Sequence, residues 1–167
     1  MDTNEEMNPV ENLIIDDDES INLKTHTKIK KYLSGDIVTL KENYAQVKLS
    51  CTKEMAVDEM GLIHGGFTFS AADFAAMAAV NEPYVVLIGA VSKFLAPVKV
   101  GDIIIFEAYA KFEDARKREI DVVGSINDIK IFEGRFDAVI LPEHVLKLKL
   151  KKVRKSKNKK DYKQSNQ

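Results

Sequence analysis

The chain has 167 residues, 45% of them apolar, enough for one domain with a real hydrophobic core. Its net charge is −1, unevenly spread: residues 1–20 hold eight acids and no Lys or Arg, and residues 147–167 hold ten Lys or Arg and one acid. A single cysteine, Cys51, excludes an intrachain disulfide, and three well-separated histidines (His26, His64, His144) give no metal-binding spacing.

These features predict a near-neutral domain over residues 20–146 between an acidic N-terminus, 1–19, without fixed structure and a basic tail, 147–167. A reducing, cytoplasmic setting is expected. The N-terminus lacks a basic region followed by an apolar one, so neither a signal peptide nor a membrane span is expected.

In chain order, residues 20–33 give a weak helical pattern on Ile21, Ile29, Tyr32 and Leu33. Ser34-Gly35-Asp36 stops it. Residues 37–40 and 44–51 read as two strands joined by a hairpin loop at Lys41-Glu42-Asn43. Cys51 falls in the second strand, as a small core residue. A connection over 52–60 leads to the stretch that dominates the chain, residues 61–80. It opens with His64-Gly65-Gly66 and continues as small and apolar residues to Val80. With apolar residues on nearly every face, this predicts a helix buried all round. The run is too short to span a bilayer. Asn81-Glu82-Pro83 ends it.

Four strands follow, at 85–95, 103–112, 119–126 and 129–141. Residues 96–102 form a bend, and turns fall at 114–117 and at Asn127-Asp128. Long consecutive strands with short turns predict an antiparallel meander. The fold class is therefore α+β, a sheet wrapped around one long central helix.

Two features of the central helix point to chemistry. Asp73 stands among Ala, Phe and Met, and an isolated buried carboxylate costs several kcal/mol unless it is paired, neutralised or open to a cleft. Gly65 and Gly66 permit close approach to a helix start whose free N–H groups favour negative charge. A tight turn that needs glycine explains the pair equally well.

Three spaced elements carry a family resemblance: His64-Gly65-Gly66; Phe69 with Ala72-Asp73; and Ser92-Lys93-Phe94-Leu95-Ala96-Pro97 with Gly101-Asp102. Together they resemble the hot-dog fold acyl-CoA thioesterases of the phenylacetate-pathway type. The resemblance implies a hot-dog fold. It implies a homodimer, or a dimer of such dimers, that pairs sheets edge to edge and binds acyl-CoA at the interface. It gives Asp73 the role of general base or nucleophile, reaching the site from the partner subunit. It assigns the Gly65 N–H to an oxyanion site and His64 to orienting the carbonyl or a loop near it, the other reading of His64 being a satisfied structural imidazole. Gly66, Phe67, Phe94 and Arg135 fall in the substrate-binding set. No cofactor is implied beyond coenzyme A as part of the substrate or ligand, and no metal. Asp58 joins the catalytic set as a departure from the pattern, since the family often has Asn six residues before the His, where it helps hold the attacking water or the carbonyl. A second carboxylate near Asp73 would raise the pKa of one of them, which retunes the site or weakens hydrolysis and so favours a binder; alternatively Asp58 is a solvated loop residue.

The segment Phe132-Glu133-Gly134-Arg135-Phe136-Asp137 is similar to one in the hot-dog domain of an acyl-CoA-sensing regulator of bacterial lipid synthesis. That similarity keeps a non-catalytic acyl-CoA binder as the alternative, with Arg135 on a CoA phosphate. Residues 1–34 are too short and too acidic for a helix-turn-helix, so no DNA contact is expected. Val145 to Leu150 reads as a short edge segment. The basic tail reads as a solvated charge run, so nucleic acid or membrane contact through it is not expected, and with no aromatic residue before Tyr162 it has no stacking surface for nucleic acid. A third reading makes the chain an interaction protein that works through its charged ends. Ala71, Ala75, Ala76 and Ala79 leave room along the helix for an acyl group.

Overall fold

The computed structural model describes residues 21–112 and 114–148. The acidic stretch 1–19 and nearly all of the basic tail lie outside them. The elements are a single helical turn α1 (Lys31–Ser34), strands β1 (Asp36–Lys41) and β2 (Tyr44–Ser50), helix α2 (Gly65–Val80), and strands β3 (Val85–Phe94), β4 (Ile103–Phe112), β5 (Lys117–Ile126) and β6 (Ile129–Ile140). The six strands form one antiparallel sheet in the order β1-β2-β4-β5-β6-β3. The sheet wraps around α2, the α+β arrangement of a hot-dog fold. Among the described residues, no helix is long and apolar enough to cross a membrane.

Helix α2 forms because six of its sixteen residues are alanine, the best helix former. It ends at Asn81, which turns into the left-handed region (φ 50°) while its N–H donates to the Met77 carbonyl at 2.9 Å. Residues Ala71, Ala72 and Phe74 to Ala79 are buried, but the helix is not buried all round as predicted: Gly66 is exposed, and Phe69, Ser70, Asp73 and Val80 keep some exposure. The alanines do not leave a groove, however. Ala71, Ala75, Ala76 and Ala79 are at most 1% exposed, so their small side chains let the sheet close on the helix and offer no room to an acyl chain.

The sheet's inner face supplies Val47 and Leu49 from β2, Ile104 and Phe106 from β4, Ile120 and Val122 from β5, and Phe132 and Phe136 from β6, all buried. Gly134 lies between the last two. A Cβ there would stand 2.8 Å from the Phe136 ring and 3.2 Å from that of Phe132. The Phe-Glu-Gly-Arg-Phe segment is thus explained by core packing: two rings point inward, with a glycine between them to make room.

Three expectations need correction. The strands after α2 are not one meander. β4, β5 and β6 follow one another, but β3 pairs with β6 at the far edge. With β2 and β5 on either side of β4, β3 joins the free outer edge of β6. Residues 21–30 are not helical. His26 has a left-handed φ of 52°, and Asn81 holds the segment as a strap: its side-chain oxygen accepts Lys24 N–H at 2.7 Å, and its amide donates to the Asn22 carbonyl at 3.0 Å. Residues 145–148 form one helical turn where an edge segment was expected, with the Lys147 N–H on the His144 carbonyl.

Candidate functional site

The site grows from the start of α2. His64 is the N-cap residue, in extended geometry (φ −62°, ψ 125°), and no side chain caps the helix. The N–H groups of Gly65 and Gly66 therefore have no partner among the described residues. The backbone leading in is fixed: His64 N–H donates to the Met55 carbonyl at 2.9 Å, and Ile63 N–H to Val98 at 2.8 Å. The His64 ring is exposed and folds back over Gly66, and it meets Phe67 edge-on at 6.0 Å between centroids. Phe94, at the end of β3, lies against Gly65; a Cβ at 65 would stand 3.3 Å from its ring. Phe94 is 52% exposed and makes a T-shaped contact with Phe132, 5.3 Å between ring centroids. His64, Gly65, Gly66, Phe67 and Phe94 thus form one cluster.

Asp73 lies further along the same helix. Gly66, Phe69, Ser70 and Asp73, at i, i+3, i+4 and i+7, keep some exposure, whereas the residues from Phe74 to Ala79 are buried. The carboxylate is therefore on the one stripe of the helix that stays open. One of its oxygens, Oδ1, is buried with no hydrogen-bond partner among the described residues. Burial pushes the carboxyl up to about 6. Eight residues separate Asp73 from Gly65, a rise of roughly 12 Å along the axis. Within one chain the two cannot act on the same bond.

Asp58 and Arg135 do not join the cluster. Asp58 is exposed, and its carboxylate accepts the Leu62 N–H at 3.2 Å. Arg135 alternates with the inward-facing Phe136 and so projects from the opposite face of the sheet. There its Nε lies 3.3 Å from Glu119 and 3.7 Å from Asp121, at an open groove of about 530 Å³ that Lys93 and Glu133 also line. Cys51 is buried, its thiol pushed up to about 11 mainly by burial, which leaves it unreactive. No group of three or more His, Cys, Asp or Glu able to hold a metal ion occurs among the described residues.

The contact of Phe94 with Gly65, which brings the end of β3 to the helix start, has no local signal in the sequence. The Asp58 turn does have one, in the Asp-x-x-Gly spacing that closes on Gly61.

No family model matches the chain. It is 47% identical over 121 residues to a methylthioribose-1-phosphate isomerase of Aquifex aeolicus (strain VF5), a match that covers 72% of this chain. The chain spans only about a quarter (26%) of the length of that curated relative. Among the solved structures that match, two are about 40% identical. An uncharacterized protein of Pyrococcus horikoshii is 42% identical, with a TM-score of 0.75, over 76% of this chain and 98% of that one. A sigma28-regulated virulence protein of Campylobacter jejuni is 39% identical, with a TM-score of 0.72, over 74% and 88%. The Escherichia coli protein from the phenylacetic acid degradation operon shares the fold, at 24% identity and a TM-score of 0.62 over 68% and 84%. The chain belongs to the family of the Pyrococcus and Campylobacter proteins, within the hot-dog fold that it shares with the Escherichia coli protein.

Proposed function

We propose that the chain hydrolyses the thioester of an acyl-CoA, or of a related acyl carrier, at a site that two copies build between them. The observation that carries this reading is Asp73. It is a half-buried carboxylate with an unpartnered oxygen, on the open stripe of an otherwise buried helix. A carboxyl near 6 is a competent general base just below neutral pH.

The chemistry follows from the two ends of the site. The free N–H of Gly65 polarises the thioester carbonyl and holds the oxyanion. Asp73 takes a proton from a water whose oxygen bonds to the carbonyl carbon. The C–S bond then breaks, and the proton on Asp73 passes to the thiolate. A carboxylic acid and the free thiol leave. His64 orients the carbonyl, and Phe67 and Phe94 line the approach. Coenzyme A enters as part of the substrate, and the reaction needs no metal.

The spacing of roughly 12 Å between Gly65 and Asp73 supports a shared site, in which each copy gives one end. β3 supports the same reading. It is a ten-residue edge strand with Ile88 57%, Val91 72% and Phe94 52% exposed, the kind of edge that pairs with another chain. A homodimer joined along β3 is part of the proposal. The alternative, a binder without turnover, needs an Asp58 that weakens hydrolysis and an Arg135 placed on a CoA phosphate. Asp58 is engaged in its own loop, and Arg135 is held by two carboxylates away from the helix.

Thiol release from short, long and aromatic acyl-CoAs tests the proposal. Turnover of at least one ester supports it. Thermal stabilisation by an ester that is never cleaved would replace it with the binder.

A further inference from the structure

Asp58 stands six residues before His64, where the resemblance calls for a group that holds the attacking water or the carbonyl. Its contacts describe a different task. Its carboxylate Oδ1 accepts the Leu62 N–H at 3.2 Å, and its backbone carbonyl accepts the Gly61 N–H, also at 3.2 Å. Gly61 takes a left-handed φ of 82°, which turns the chain back. The Val57 N–H then donates to the Leu62 carbonyl at 2.8 Å, closing loop 57–62 at its neck. Beyond the neck the same ladder continues, with Ala56 opposite Ile63 and the His64 N–H on the Met55 carbonyl. The ladder runs directly into the uncapped start of α2. The Asp58 carboxylate is thus the side-chain fastener of a small hairpin whose second arm is Leu62-Ile63-His64. That hairpin exposes Val57, Met60 and Leu62 (54%, 90% and 42%) beside the helix start.

We propose that Asp58 is a positioning residue: it holds loop 57–62 so that His64 and the Gly65 N–H are aimed, and it carries no proton in the reaction. An amide oxygen accepts the same bond from Leu62 N–H, so the task needs an acceptor of this length and not a charge. The activity part of this inference rests on the thioesterase reading; the loop part does not.

The test compares Asp58→Ala and Asp58→Asn with the wild type, in the full chain, by two readouts. The first is amide hydrogen exchange at Leu62, His64 and Gly65. The second is kcat/KM for thiol release between pH 5 and pH 8. Asp58→Ala is expected to speed exchange at Leu62 and lower kcat/KM, each by about tenfold, the scale of one lost hydrogen bond. Asp58→Asn is expected to rescue both and to keep the wild-type pH midpoint. Slow exchange in Asp58→Asn with activity as low as in Asp58→Ala, or a moved midpoint, would overturn the proposal and give the carboxylate a part in proton transfer. Wild-type exchange in Asp58→Ala would also overturn it. If the wild type releases no thiol from any ester, the thioesterase reading fails, and exchange alone decides whether Asp58 holds the loop.

Discussion

The imidazole of His64 lies so close over Gly66 that a Cβ at position 66 would stand 2.8 Å from Nε2 and 3.0 Å from Cδ2. The second glycine of the His-Gly-Gly turn is therefore needed for where the His64 ring sits, not for an unusual backbone, since residue 66 is an ordinary helical residue. Gly66→Ala is expected to leave the fold in place and to displace the ring. A misplacement of about 1 Å at a catalytic group costs on the order of 10²-fold in rate. Thiol release beside a circular dichroism spectrum of the variant checks this, with activity lost and the spectrum unchanged.

The raised pKa of Asp73 carries a stability consequence that is independent of activity. Its carboxyl ionises near 6 in the folded chain and near the ordinary carboxylate value in the unfolded one. Between those values the folded state holds more protons, so this group's contribution to stability falls as pH rises through that window. At pH 7 its ionisation costs roughly 2–3 kcal/mol relative to acid pH. Asp73→Asn removes that cost. Denaturant unfolding should find the variant more stable than the wild type at pH 7, with the gap closing toward pH 4. A gap that stays constant with pH would mean that the carboxyl is not raised.

Asn81 joins the end of α2 to the strap 21–30 through two hydrogen bonds, and it is 8% exposed. Asn81→Ala leaves Lys24 N–H without its acceptor and puts a residue ill suited to φ 50° at the helix end. The expected loss is roughly 1–3 kcal/mol by chemical denaturation. Asn81→Gly keeps the backbone geometry and loses only the side-chain bonds, so its loss should be smaller.

Phe136 is fully buried, and its ring lies 5.4 Å from that of Phe69 on α2. Phe136→Ala should cost about 3–5 kcal/mol. Arg135→Ala, one residue away on the outer face, removes only exposed ion pairs and should cost less than about 1 kcal/mol. Parallel unfolding curves of the two variants check the assignment of faces. A large loss of acyl-CoA turnover in Arg135→Ala would restore Arg135 to the binding set.

The local elements were legible wherever local chemistry decides them. The alanine run predicts α2, and Asn127-Asp128, both at positive φ, predict the tight turn between β5 and β6. The unpaired carboxylate was legible too, because Asp73 contradicts its apolar surroundings. What the sequence hid was pairing between distant segments. Nothing in residues 85–94 says that β3 prefers β6 to β4, because that choice depends on which edges the rest of the sheet leaves free. Residues 21–30 carry a weak helical pattern, but their apolar side chains serve a strap tied to Asn81. The same alanines that reveal the helix gave the wrong idea of space beside it, since a small side chain marks either a groove or close packing. Only the position of the sheet distinguishes the two.

Thiol release from a cleaved acyl-CoA, followed between pH 5 and pH 8 for the wild type and for Asp73→Asn, tests the central claim most directly. With Asp73 as the single base, the wild-type kcat/KM climbs about tenfold per pH unit below a midpoint near 6 and then levels. Asp73→Asn still binds the ester and releases no thiol at any pH. Turnover by Asp73→Asn at a rate near that of the wild type would contradict the claim.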